Sequence, residues 1–212
     1  FVASAATLTA QTRSIDVDPE NIDPSRIEII RDQWGVPHIY APTDAEAAYG
    51  MAWVQCEDDL ETVLKMLAIS NGELGRVTGP DGAALDYMMQ FLGVEDSVEK
   101  YYERDHSPAY RKVLESFCAG ANAYYKTHKK DIPRRYKRYF PVEPKSVVTG
   151  YAFTGVLLNS FPYALAFAMD GKLEEYKPGF YMLGSNAIAI NNQKTGGEGT
   201  FLDVNSHQPL EG

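Results

Sequence analysis

Between Ser107 and Tyr125 the residues Tyr110, Val113, Leu114, Phe117, Cys118, Ala121, Tyr124 and Tyr125 recur at spacings of three and four, the period at which an α-helix turns one face to a core. Ser107-Pro108 supplies a matching start: a hydroxyl able to accept from free N–H groups, then a residue suited to the first helical position. Such a stripe cannot bury itself, so a second helical face must cover it. Thr43 with Glu46 forms a capping box that opens one, carrying Ala45, Ala48, Tyr49, Ala52, Cys56, Leu60, Val63 and Leu67, and Gly72 ends it.

The remaining elements arrange themselves around that helical frame. Residues 1–25 are polar and contain proline, an extended lead-in. Ile27 and Ile29, then Val36 and Ile39, flank the turn-forming Asp32-Gln33-Trp34-Gly35 and predict a β-hairpin. After a loop containing Pro80 and Asp81, another helical region begins near Ser97. Ser146 caps a third long helix through Tyr151, Gly155 and Leu158, until Pro162 bends or stops it. Residues 185–190 and 200–205, joined by the glycine-containing 191–199, read as a second hairpin in another layer. The fold class is α+β, mainly helical with small β-hairpins.

Composition narrows the function classes. With 44% apolar and 12% aromatic residues the chain can bury a sizeable core. Its 20 basic and 29 acidic residues leave a charge of −9, and no Lys or Arg cluster is long enough to steer a nucleic acid. The nearest candidate, Arg134-Arg135-Tyr136-Lys137-Arg138, reads as a solvated stretch leading into Pro141. Val147 to Met169 lacks charge, but Thr149, Gly150, Thr154, Gly155, Asn159, Ser160 and Pro162 interrupt it, so a buried helix is expected and no membrane insertion. Cys56 and Cys118 permit at most one disulfide, and both read as free buried thiols on apolar helix faces.

Gly184-Ser185-Asn186 stands directly before Ala187-Ile188-Ala189-Ile190, which puts a serine at the mouth of a short apolar strand. Taken alone, it is a turn entering a strand. Cleavage between Gly184 and Ser185 would free an α-amine on the serine, uniting nucleophile and base in one residue without a histidine-carboxylate relay. An α-amine titrates near about pH 7.7–8.0 in model peptides, as suits a base working at neutral pH. Of the histidines, His38 reads as a hydrogen-bonded structural residue, and His106 and His128 as exposed.

Arg31-Asp-Gln-Trp-Gly-Val-Pro-His-Ile-Tyr40 resembles the opening signature of the penicillin acylase family of N-terminal-nucleophile amidohydrolases, a group that includes N-acyl-homoserine-lactone acylases. Tyr49-Gly50, Glu57-Asp58, Gly72-Glu73-Leu74-Gly75-Arg76 and Ala119-Gly120-Ala121-Asn122-Ala123-Tyr124 follow in the family's order, with Pro133 and Pro141 where its chain turns. Gly184-Ser185-Asn186 and Asn205-Ser206-His207-Gln208-Pro209 are similar to the start of the family's second subunit.

The resemblance implies a mainly helical first subunit at 26–169, an excised spacer at 170–184 and the start of a second subunit at 185–212, within a complete αββα sandwich. The chain is then expected to be a fragment that needs the remainder of the second subunit, as a heterodimer made from one precursor, and to be inactive alone. The oxyanion donors would come from beyond Gly212. Ser185 would be nucleophile and, with Gly184, cleavage site, and His207 would position its α-amine. Phe161, with Leu158 and Tyr163, would line an acyl pocket for a small N-acylated substrate, of acyl-homoserine lactone or penicillin type. Ser160 stands where penicillin-cleaving members carry an arginine, which favours apolar acyl chains over a β-lactam. No cofactor is implied. Some members hold a structural calcium, but Phe167 stands at the carboxylate position here, leaving only Asp170 or Glu174 as substitutes. Phe1-Val-Ala-Ser-Ala-Ala is not an intact signal peptide; the resemblance implies an exported, periplasmic or secreted protein whose mature end this would be. Two other readings stand beside it: a non-catalytic helical binding or regulatory module derived from such an enzyme, and a Ser-His hydrolase using Ser206, for which no Gly-x-Ser-x-Gly elbow is present.

Overall fold

A computed structural model of the chain describes residues 18–158, 170–175, 185–190 and 201–206. Two compact units divide it, Phe1–Tyr151 and Ala152–Gly212. In the first, a hairpin of β1 (Glu28–Arg31) and β2 (Pro37–Tyr40) leads into α1 (Asp44–Asp58), α2 (Leu60–Ser70), the short α3 (Gly75–Thr78), α4 (Pro80–Phe91), α5 (Val94–Asp105) and α6 (Pro108–Thr127). The predicted helical stripe is α6. A 3-10 turn at Arg134–Tyr139 precedes α7 (Pro144–Leu158), which spans the boundary between the units.

α1 and α6 make the centre of the first unit. A Cβ added at Gly120 would strike the carbonyl oxygen of Tyr49, so the two backbones touch at that point. One turn on, the rings of Trp53 and Tyr124 meet edge to face at 5.2 Å, so the helices run parallel. The core around them takes in Ala52, Cys56, Leu64, Leu67, Ala68, Cys118 and Ala121, closed by Ile132, Tyr136, Tyr139 and Val142. Both thiols are free and buried, as expected. Cys56 lies past Trp53 and Cys118 before Gly120, about 13 Å apart by helical rise, too far for a disulfide.

Local chemistry explains the element ends. The Thr43 hydroxyl accepts from Glu46 N at 3.2 Å, the N-cap half of the predicted capping box, and donates to Glu46 Oε2 at 2.8 Å, so the carboxylate returns to the hydroxyl. Ser107 Oγ accepts from Tyr110 N, with Pro108 at the first helical position. In the hairpin, Asp32 Oδ1 accepts from Trp34 N and Val36 N, and Gly35 takes φ +81°.

Several boundaries depart from expectation. The helix read as continuous from Thr43 to Gly72 breaks at Asp59, whose φ of −146° is not helical and whose carboxylate caps α2 by accepting from Thr62 N. The loop expected around Pro80 is helical instead: Pro80 opens α4 as its first residue, and the region begun near Ser97 already starts at Val94. Pro144, not Ser146, stands at the start of α7. The Arg134–Arg138 stretch is not simply solvated, because Tyr136 and the adjoining Tyr139 are buried. In the second unit, β3 (Ser185–Ile190) and β4 (Phe201–Ser206) pair antiparallel, β4 one residue later than predicted. Among the described residues no helix is long and apolar enough to cross a membrane.

Candidate active site

Ser185 is the first residue of β3 and lies opposite Ser206, the last residue of β4. Asn186 faces Asn205 one step further in, and the register runs on to Ile190 opposite Phe201. A strand end is a place where a backbone nitrogen can leave the ladder without breaking the pairing behind it. The geometry therefore suits a serine that becomes a chain terminus. Leu158 is the last residue of α7. Gly184, Phe161, Tyr163, Ser160, Phe167 and His207 lie outside the described residues. Of the predicted site, then, Ser185 and Leu158 are placed, and the hairpin register brings Ser185 to Ser206.

Most other residues of the resemblance fall in the first unit, and several of them hold elements together there. Arg31 Nη2 donates to Glu57 Oε2 at 2.8 Å and also to Asp58 Oδ1, while Nη1 donates to Gly35 O at 3.0 Å. Hydrogen bonds to Asp58 first, then to Glu57, raise the Arg31 pKa above its already high value. Arg31-to-Tyr40 and Glu57-Asp58 are thus two ends of one clamp between hairpin and α1. Gly50 packs under the same hairpin: a Cβ there would lie 2.9 Å from Ile27 Cγ2 and 3.0 Å from Ile39 Cγ2.

The two later segments act alike. Asn122 Nδ2 donates to Val142 O at 3.0 Å and its Oδ1 accepts from Val142 N at 2.7 Å, which ties α6 to the chain just after Pro141. Leu74 N and Gly75 N both donate to the carboxylate of Asp86, at 2.7 and 2.8 Å. Sequence reasoning misses Asp86, which falls between the loop read at Pro80 and the helical region read from near Ser97 and carries no local signal. Glu46, expected only as a cap residue, is fully buried, with Arg26 Nη1 3.3 Å from Oε1 in an ion pair that lacks hydrogen-bond geometry.

Two of the histidines differ from expectation. His106 and His128 are half-buried rather than exposed, each the C-cap of its helix. His106 stacks on Tyr110 and lies tilted against Tyr102, and His128 stacks on Tyr124 at 4.0 Å. In each the Nδ1 lies within hydrogen-bond distance of the carbonyl four residues back, on Tyr102 and Tyr124. His38 Nε2 lies 3.5 Å from Asp32 Oδ2, at the limit of a hydrogen bond, which agrees with its structural reading.

A cleft of about 650 Å³ opens beside α6, where Tyr49, Glu115, Cys118, Asn122 and Lys126 line it. No residue of the predicted site lines it. Burial raises the pKa of the Cys118 thiol there to about 12, which leaves it a poor nucleophile. Among the described residues no group of three His, Cys, Asp or Glu could hold a metal ion. Asp170 and Glu174, the possible calcium substitutes, are exposed.

A sequence-family model for penicillin amidase matches residues 26–212. Acyl-homoserine lactone acylase PvdQ of Pseudomonas savastanoi pv. phaseolicola is 29% identical over 119 residues, which cover 52% of this chain and 15% of that protein. Penicillin acylase 2 proenzyme of Pseudomonas sp. (strain SE83) is 30% identical over 101 residues, 46% of this chain and 12% of that protein. The matched chain thus spans less than a sixth of the length of these two relatives. A solved structure, a thermostable penicillin G acylase from Alcaligenes faecalis, shares the fold with a TM-score of 0.53 over 70% of this chain and 83% of that one, at 22% identity.

Proposed function

As this chain belongs to the penicillin amidase family, with the family match running over residues 26–212, we propose that it is part of an amidohydrolase whose nucleophile is Ser185. The observation that carries the proposal is the position of Ser185 at the first step of β3, with glycine before it in the sequence. In maturation the Ser185 hydroxyl attacks the Gly184 carbonyl, the C–N bond breaks as the acyl group moves to oxygen and frees the α-amine, and water then hydrolyses the ester to leave a Gly184 carboxylate and a free Ser185 hydroxyl. In turnover the same hydroxyl attacks a substrate amide. The α-amine takes its proton and returns it to the departing amine, and water hydrolyses the acyl-enzyme. His207 follows Ser206, the residue opposite Ser185, directly in the sequence, which supports its role in positioning the α-amine.

The substrate class is small molecules carrying an N-acyl chain, of acyl-homoserine lactone or penicillin type, and it rests on the acylase names of the relatives. Phe161, Leu158 and Tyr163 form the acyl pocket. Residues 26–169 are the first subunit, 170–184 the spacer and 185–212 the start of the second. A relative named as a proenzyme supports the cut, and the exposed, charged Asp170, Lys172, Glu174 and Glu175 support an excised segment there. Ile30, Trp34, Val36 and Tyr40 stand exposed on the first hairpin, an apolar surface that the rest of the protein would cover. The 212 residues alone then have no turnover, and the working place of the enzyme is the periplasm or the medium. Calcium has no part in the proposal.

Mass spectrometry of the complete protein tests it. The wild type should run as two chains, the second beginning at Ser185, and Ser185→Ala as one uncut, inactive chain. Cleavage at 184–185 in the Ser185→Ala protein, or an uncut wild type with full amidase activity, would overturn it.

A further inference from the structure

The Arg134–Tyr139 turn repeats every three residues, so positions 136 and 139 share one edge and positions 135 and 138 the next. The tyrosine edge is in the core, Tyr136 at 3% and Tyr139 at 6% exposure. Consequently the arginines are forced outward together. Arg134, Arg135 and Arg138 line one recess of about 510 Å³ with Arg76 and Val77 of α3, and no carboxylate is among its lining residues.

Glu73 fixes the geometry from the side. Its Oε1 lies 3.1 Å from Arg76 Nε and its Oε2 lies 3.1 Å from Arg138 Nε, so one carboxylate aligns two guanidinium groups from two elements. Both pairs are made at Nε, on guanidinium groups that each carry five N–H donors. Arg135 is steadied over the Tyr136 ring at 5.2 Å. Four guanidinium groups therefore share a concavity with one bordering carboxylate, in a chain whose net charge of −9 repels anions in general. Arginine forks match phosphate oxygens, and a recess this wide with donors from two elements fits an anion with two charged groups better than one.

We propose that the recess formed by Arg76, Arg134, Arg135 and Arg138 is a binding site for a diphosphate-bearing ligand. It stands independently of the chemistry assigned to Ser185. The phosphates can belong to a soluble diphosphate or to a bisphosphate lipid headgroup, and the same recognition serves both.

Calorimetric titration of the complete protein with inorganic pyrophosphate at low salt is the test. Saturable binding at one site is expected, weakened at least tenfold by Arg134→Ala combined with Arg135→Ala. These two exposed side chains belong to no ion pair among the described residues, so the melting temperature should hold. Arg104→Ala, on α5, should leave binding unchanged. Vesicles of phosphatidylcholine with cardiolipin identify the source: pyrophosphate-reversible sedimentation marks a lipid headgroup, and its absence with retained pyrophosphate binding marks a soluble ligand. Lack of saturable pyrophosphate binding, or its persistence in the folded double variant, would overturn the site.

Discussion

Gly120 is set by what lies against it: the backbone of Tyr49, with no space for a methyl group. The restriction is of volume, since φ at this helical position is ordinary and alanine would otherwise be the better helix former. Gly120→Ala should therefore destabilise the protein by about 1–3 kcal/mol through forced separation of α1 and α6. Urea denaturation checks it: a rise in midpoint, as helix propensity alone would give, would show that the helices do not meet at this residue. Asn122, two residues on, works through hydrogen bonding instead, satisfying both backbone groups of Val142. Nearby positions of one sequence motif thus serve two different forces, and neither is a catalytic one.

At the scale of elements, Asp59 decides where α1 stops and α2 starts. Its carboxylate accepts from Thr62, and the side-chain bond to that residue foremost, with the backbone bond, holds its pKa below the usual carboxylate range. The cap is thus present at neutral pH and lost as acid protonates it. Asp59→Ala should lower the melting temperature by a few degrees, and Asp59→Asn clearly less because asparagine caps nearly as well. Thermal melting of the two variants distinguishes capping from a purely charge effect, in which both would lose alike. The break is not legible in the sequence because the apolar stripe continues through Leu60, Val63 and Leu67 as though the helix did. Periodicity reports a buried face, and the face persists across a change of direction. Thr43, Ser107 and the first hairpin are legible since their signals are local, a hydroxyl or a turn carboxylate beside the groups it satisfies. α4 escapes for the opposite reason: Pro80 after Gly79 reads as a loop, yet it is also a helix start. The site is legible only as Ser185 at a strand mouth. Its other candidates rest on the resemblance, since residues that meet only through tertiary packing leave no local pattern, and Gly184, Phe161, Tyr163 and His207 lie outside the described residues.

For the whole molecule, global unfolding is coupled to pH through groups that the core keeps neutral. Burial raises the Cys56 thiol to about 11 and the Cys118 thiol to about 12. Burial, and next to it the charge of Glu73, raises Tyr139 to about 12. In the unfolded chain thiols ionise near about pH 8.5 and tyrosine near about 10. Below about pH 8 both states hold these protons and stability does not depend on them. Above about pH 9 the unfolded chain releases thiol protons that the folded chain retains, so it binds fewer protons and unfolding becomes easier with each step of pH. The slope approaches about 1.4 kcal/mol per pH unit for each thiol until the folded pKa is reached, and Tyr139 adds to it above about pH 10. Denaturant unfolding at about pH 7.5, 9.5 and 10.5 should show the wild type losing stability faster than a Cys56→Ala, Cys118→Ala double variant. The variant starts lower, because it lacks two buried side chains, and the gap should narrow as pH rises. Parallel losses would mean that the thiols ionise in the folded protein as readily as in the unfolded one, and that the contact between α1 and α6 admits water.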